Sequence, residues 1–212
     1  TEERFVRPLI ERFEKSWENV TGAKGGFTSR EQEEKAKARA IAMITRVSDH
    51  PGPLRNKAIK IRQDLPYYWL SEEDNIILCG KVDWLEYVED SDSVRIIDFK
   101  TGKFDEDPDS LQLPIYYLLA THTQTKPITA ISYWYLDRDD APVDLPMPDP
   151  EQSEKRVLEA AKKVALARKL GHFVCRENGC RACRPYEAVL AGKATHIGLN
   201  TFGQDLYVLN PS

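Results

Sequence analysis

The ten residues VRIIDFKTGK, Val94 to Lys103, constrain this chain more tightly than any other segment. An apolar run through Ile96 and Ile97 marks a strand, yet it ends in Asp98, Phe99 and Lys100 before a turn at Thr101-Gly102. Residues i and i+2 of a strand share a face, so Asp98 and Lys100 point together while Phe99 enters the opposite packing layer. The plain explanation is a surface ion pair at a strand end, because a lone Asp-x-Lys triplet is common by chance. The residues around it change that balance.

Upstream, Gly80-Lys81-Val82-Asp83-Trp84 supplies a second carboxylate, Asp83. If its strand pairs antiparallel with the first, both acids converge near one end of a sheet. Two carboxylates with water suit a hard divalent cation such as Mg²⁺. A lysine beside them can orient a water and neutralise charge developing on a phosphate. That is chemistry for breaking phosphodiester bonds. Past the turn, Gln112 and Tyr116 stand at i, i+4 on one face of a predicted helix. The alternative for that helix is packing through Leu111, Ile115, Leu118 and Leu119, with the polar pair incidental.

Periodicity organises the rest. Phe5, Leu9, Phe13 and Trp17 at steps of four predict a helix over residues 2–20, broken by Thr21-Gly22 and Gly25-Gly26. A second helix follows Thr28-Ser29, with Glu31 and Gln32 as capping-box partners and Ala36, Ala40, Met43, Ile44 and Val47 on one side. From about residue 58 the pattern is strand-like: AIKIRQDLPYYWL, NIILCGKVDWLEYV and SVRIIDFK. A helix is predicted over about 109–121, with Pro114 in its first turn, then a hairpin of ITAISYWYL and VDLPM around DRDDAP. Asp149 caps a helix that starts at Pro150 and runs to about Leu170. The order ααβββαββα predicts an α/β fold, a mixed sheet flanked by helices. The expected organisation is one domain over 1–212, with a helical part at 1–50, a core at 57–170 and a cysteine-containing tail at 171–212.

Composition excludes several classes. With 41% hydrophobic and 30% charged residues in 212, the chain can bury a core, and global disorder is not expected. No apolar run approaches the roughly 18 residues of a membrane span, and the charged start is no signal peptide. A net charge of −4 gives no global attraction to nucleic acid, although a cleft can still be basic. No GxxxxGK[ST] loop is present, so the chain is not itself an ATPase. Four cysteines, three of them bunched near the end, do not form a secreted disulfide framework, and a reducing cytoplasm is expected. The chain lacks an initiating Met and opens in a helical pattern, so a fragment of a longer protein is expected.

The set GKVDW, IIDFKTGK and QLPIYY, in this order and spacing, resembles the PD-(D/E)XK nuclease superfamily, specifically its RecB-like branch. That branch includes the nuclease domains of bacterial helicase–nucleases and CRISPR-adaptation exonucleases. The resemblance implies a restriction-endonuclease-like core and cleavage of DNA with Mg²⁺ or Mn²⁺, in repair or recombination beside a helicase. By the same resemblance Asp83 and Asp98 match the metal-binding acids and the Phe99 main-chain carbonyl a further ligand. Lys100 matches the catalytic lysine, and Gln112 and Tyr116 match a QxxxY motif that organises the site. Relatives often add a ligating histidine on an upstream helix. The only upstream histidine here is His50, in the loop SDHPGPL, where solvent exposure is expected. The other class of function to weigh is an inert nuclease-fold module that binds DNA or scaffolds a partner.

Cys175-x4-Cys180-x2-Cys183 offers three thiols, where zinc or an iron–sulfur cluster needs about four ligands. Some RecB-like nucleases hold such a cluster with one cysteine upstream and three downstream, at a spacing different from this one. His172 is a candidate fourth ligand, against a plain helix-terminal role, and Cys79 reads as a buried small hydrophobe. The clusters Tyr67-Tyr68-Trp69 and Tyr133-Trp134-Tyr135 suit base stacking, but strands favour aromatics for packing alone. Arg55, Lys57, Lys60 and Arg62 form a locally basic stretch, either phosphate contacts or a solvated face.

Overall fold

The computed structural model describes residues 2–175, 177–200 and 202–210. Its helices are α1 (Leu9–Trp17), α2 (Arg30–Asp49), α3 (Gln112–Thr123), α4 (Pro150–Leu170) and α5 (Arg184–Leu190). Its strands are β1 (Tyr67–Ser71), β2 (Ile76–Cys79), β3 (Trp84–Val88), β4 (Ser93–Lys100), β5 (Ile128–Tyr135), β6 (Val143–Leu145), β7 (Ala194–Leu199) and β8 (Asp205–Leu209). They fall into two units. The first joins the described residues up to Val6 with Arg46–Gly171; the second joins Arg7–Thr45 with the described residues from His172.

In the first unit a four-stranded sheet has the order β3-β4-β5-β6. β3 and β4 are antiparallel, with Trp84 opposite Ile97; β4 and β5 are parallel, with Asp98 opposite Tyr133; β5 and β6 close as the expected antiparallel hairpin. Parallel neighbours need a long crossover, and α3 supplies it. β4 is central, and a strand covered on both faces reads as a nearly continuous apolar run rather than an alternation. Ser93, Val94, Ile96, Ile97 and Asp98 are accordingly all buried. One core cluster joins Leu85, Val94, Ile96, Ala120 and Ile131. A second joins Leu70, Leu118 and Val157, tying the β1–β2 hairpin to α3 and α4. α4 begins as expected: Asp149 accepts the Gln152 N–H at 2.7 Å and Pro150 takes the first helical position. It ends at Gly171 with φ 62°, a left-handed cap that favours glycine.

The second unit contains α1, most of α2, α5 and the β7–β8 hairpin. Trp17 packs between Phe13 at 5.4 Å and Phe27 at 5.7 Å. Ser29 Oγ accepts the Gln32 N–H at 3.2 Å, while the Gln32 side chain accepts the Thr28 N–H at 2.9 Å. This is a capping box whose return bond lands one residue early.

Five expectations need correction. The helix over 2–20 is two pieces, a 3-10 turn at Glu2–Phe5 and α1 from Leu9. Pro8, with ψ 134°, has no N–H to donate and disfavours helix at the residue before it. NIILCGKVDWLEYV is not one strand: β2 pairs with β1, β3 pairs with β4, and the chain passes between sheets at Gly80–Asp83. Residues 58–66 form no strand, only a single bridge between Ala58 and Glu86. Cys79 is exposed, because the β1–β2 hairpin is covered on one face and Ile77 and Cys79 fall on the other. α3 starts at Gln112, since Asp107 holds a turn by accepting the Asp109 N–H on its side chain and the Ser110 N–H on its carbonyl. Pro114 does sit in the first turn of α3. The tail, which carried no secondary-structure expectation, contains α5, β7 and β8.

Candidate functional site

Asp98 lies near the C-terminal end of β4 and is 1% exposed. Its Oδ1 accepts the Gln112 side-chain amide at 3.1 Å. Its Oδ2 lies 2.8 Å from the Lys100 ammonium. That ion pair compensates the Oδ2 charge of a carboxylate that is otherwise buried from solvent. Asp83, in the passage before β3, turns its Oδ2 to the Phe99 N–H at 3.1 Å. The antiparallel register brings the two acids to the same end of the sheet.

Gln112, at the start of α3, holds three groups at once. Its carbonyl accepts from Lys100, and its amide donates to Asp98 and, at 3.2 Å, to the Tyr116 hydroxyl. Lys100 also pairs with Glu106 at 2.7 Å and lies 4.8 Å from the centre of the Tyr133 ring. Three acceptors around one ammonium match its three N–H donors. On the other face of β4 the Phe99 ring packs against Trp134 at 5.8 Å and Trp84 at 6.5 Å.

The electrostatics follow from burial. Desolvation pushes the Asp98 carboxyl up to about 6; Lys100 opposes that shift and Asp83 adds to it. Burial pulls the Lys100 ammonium down, but Asp98 and Glu106 outweigh it and hold the lysine above its ordinary value. Tyr116 is raised, mainly by burial. Two carboxylates close enough that Asp83 raises Asp98, one of them buried, are a donor set fitted to a hard divalent cation.

The expected group Asp83, Asp98, Lys100, Gln112 and Tyr116 is thus brought together. Sequence reasoning missed Glu106, which sits in the loop between β4 and α3 among Asp105, Asp107 and Asp109. Nothing in its spacing singles it out. His50 is half exposed in its loop, 3.7 Å from Asp140. Tyr133, Trp134 and Tyr135 are buried packing residues, whereas Tyr67 and Trp69 are about half exposed.

In the second unit the Cys175, Cys180 and Cys183 sulfurs all lie within 4.8 Å of one another. Backbone N–H groups of Gly179, Cys180 and Glu177 converge on Cys175 and draw its thiol down to about 6. Cys180 and Cys175 raise Cys183 to about 11. Such a cluster can bind a soft metal. His172 is exposed and outside the cluster.

A mixed sheet that delivers an acid and a lysine on one face of its central strand, with a second acid from the strand beside it, defines a nuclease type of α/β fold. The chain belongs to the PD-(D/E)XK nuclease superfamily, whose family model matches residues 2–189. The central β3–β6 sheet and its helices are the restriction-endonuclease-like core of that superfamily. Membership suggests a nuclease, and superfamily members generally use divalent metals. No curated protein and no solved structure gives a match. Among the described residues no helix is long and apolar enough to cross a membrane.

Proposed function

We propose that this chain is a RecB-like deoxyribonuclease that hydrolyses phosphodiester bonds with Mg²⁺ or Mn²⁺, in DNA repair or recombination and beside a helicase. The observation that carries this reading is the buried Asp98 carboxylate, set beside Asp83, paired with Lys100 and held by Gln112. Asp83, Asp98 and the Phe99 carbonyl would hold the cation, which would supply Lewis-acid polarisation of the phosphate. Lys100 would donate to the attacking water and to the phosphate oxygens. The water oxygen bonds to phosphorus and gives up a proton to solvent, the P–O bond to the leaving sugar breaks, and the leaving oxygen takes up a proton from solvent. Gln112 keeps Asp98 turned inward and Lys100 aligned, and Tyr116 keeps Gln112 from rotating away. The three clustered cysteines form a second, separate site for zinc or an iron–sulfur cluster.

The test is cleavage of labelled single-stranded and duplex DNA with Mg²⁺, with Mn²⁺ and with chelator. Cleavage in metal and none in chelator is expected; equal cleavage in both overturns the reading. Divalent-cation affinity is also expected to fall by about tenfold per pH unit below 6, because a proton competes with the cation for Asp98. Calorimetric Mn²⁺ titrations at pH 7 and pH 5 measure this, and equal affinities would remove Asp98 from the ligand set.

A further inference from the structure

Two concavities flank the candidate site, and their charge separates them. One, of about 720 Å³, shares Glu106 and Tyr133 with the surroundings of Lys100. Its walls carry the carboxylates of Asp105, Glu106, Asp107 and Asp139 against the guanidiniums of Arg138 and Arg156, a poor lining for a polyanion. The other is a cleft of about 470 Å³ walled by Asp83 itself, with Arg4, Lys60, Arg62 and Lys81 against Asp83 and Asp64. A cation bound at Asp83 would tip this cleft further positive.

The states of these cations matter more than their number. Arg4 donates to the Leu54 and Asn56 carbonyls and lies over the Trp84 ring at 4.5 Å, so its role is structural. Lys60, Arg62 and Lys81 are exposed and have no ion-pair or hydrogen-bond partner among the described residues. The basic stretch of the sequence is therefore divided. Lys57 pairs with Glu89, and Arg55 lies over Phe5, both away from this cleft. Lys60, Arg62 and Lys81 all line it. Lys81 stands two residues before Asp83, at the passage between β2 and β3.

Resting on the nuclease reading above, we infer that the cleft formed by Lys60, Arg62 and Lys81 binds the phosphodiester backbone of a single DNA strand beside the scissile phosphate. Unpaired cations on a cleft that ends at the catalytic acid would hold the strand in line with Asp83 and Lys100. They read no base, because phosphate contacts position a strand and carry no sequence information.

The test compares the protein with Lys60→Ala/Arg62→Ala/Lys81→Ala and with a control of equal charge change on α4, Lys155→Ala/Lys163→Ala/Lys169→Ala. Binding of a labelled single-stranded oligonucleotide is measured without divalent metal over a salt series. The cleft variant is expected to bind about tenfold more weakly near 0.1 M salt, and the slope of log K against log salt should shrink by about 2, near 0.7 per lost contact. The control should match the unaltered protein. Unchanged affinity and slope in the cleft variant overturn the inference, as does equal weakening in the control or an unaltered protein that binds no strand. Metal-dependent cleavage by the unaltered protein is read in parallel. If it persists while the cleft variant binds normally, only the cleft assignment falls. If it is absent, the nuclease reading falls, and the binding series still decides the cleft.

Discussion

Replacing Lys100 with alanine is expected to lower the single-turnover rate of metal-dependent DNA cleavage by about 10³-fold, within the range seen when one preorganised donor to a developing charge is removed. Two effects combine in that loss. The ammonium no longer reaches the attacking water and the phosphate. Asp98 also loses the positive charge that partly offsets its desolvation, so its carboxyl titrates higher than about 6 and holds a cation less readily near neutrality. Measurement at saturating Mn²⁺ and pH 8 isolates the first effect, because Asp98 is then ionised and liganded in both proteins. Strand affinity should hold, since Lys100 is 14% exposed and the cations without partners lie elsewhere. A variant that keeps more than about a tenth of the rate under these conditions would take Lys100 out of the chemistry.

How much of this was legible in the sequence depended on whether the signal was local. β4 announced itself because a central strand is apolar on both faces, which leaves Asp98 and Lys100 as visible exceptions. The capped start of α4 was legible for the same reason: Asp149, Pro150 and Gln152 make a contact within one turn. The passage at Gly80–Asp83 was not. IILC and WLEYV look like one strand until their partners are known, and those partners lie in different sheets. Gly80 gives a small sign, since a Cβ there would come within 3.1 Å of the Leu119 side chain. Glu106 was hidden among four acids in one loop, and only its placement against Lys100 distinguishes it. Cys79 misled because an apolar run carries no mark of which face its sheet leaves open.

Trp134→Ala is the largest stability loss expected, about 3–5 kcal/mol. Trp134 is fully buried in β5, its indole N–H donates to the Asp139 carbonyl at 2.9 Å, and its ring meets Phe99 at 5.8 Å. Truncation removes the apolar contact and leaves a cavity on the face of the sheet opposite Asp98 and Lys100. It also deprives the Asp139 carbonyl of its indole donor. For a domain of this size the loss corresponds to a midpoint lower by roughly 10 °C. Thermal or urea denaturation reads it directly. Tyr67→Ala provides the contrast: that ring is 49% exposed, so its removal should shift stability by only a small fraction of the Trp134 effect. Comparable shifts in the two variants would contradict the division between buried and exposed aromatics. Phe99 sits between Asp98 and Lys100 in the chain and leans on Trp134, so the same tryptophan supports the strand that carries the proposed site. Cleavage by Trp134→Ala should accordingly fail at a lower temperature than in the unaltered protein, in step with unfolding, while at temperatures where the variant is folded Lys100 still has its partners and the rate persists.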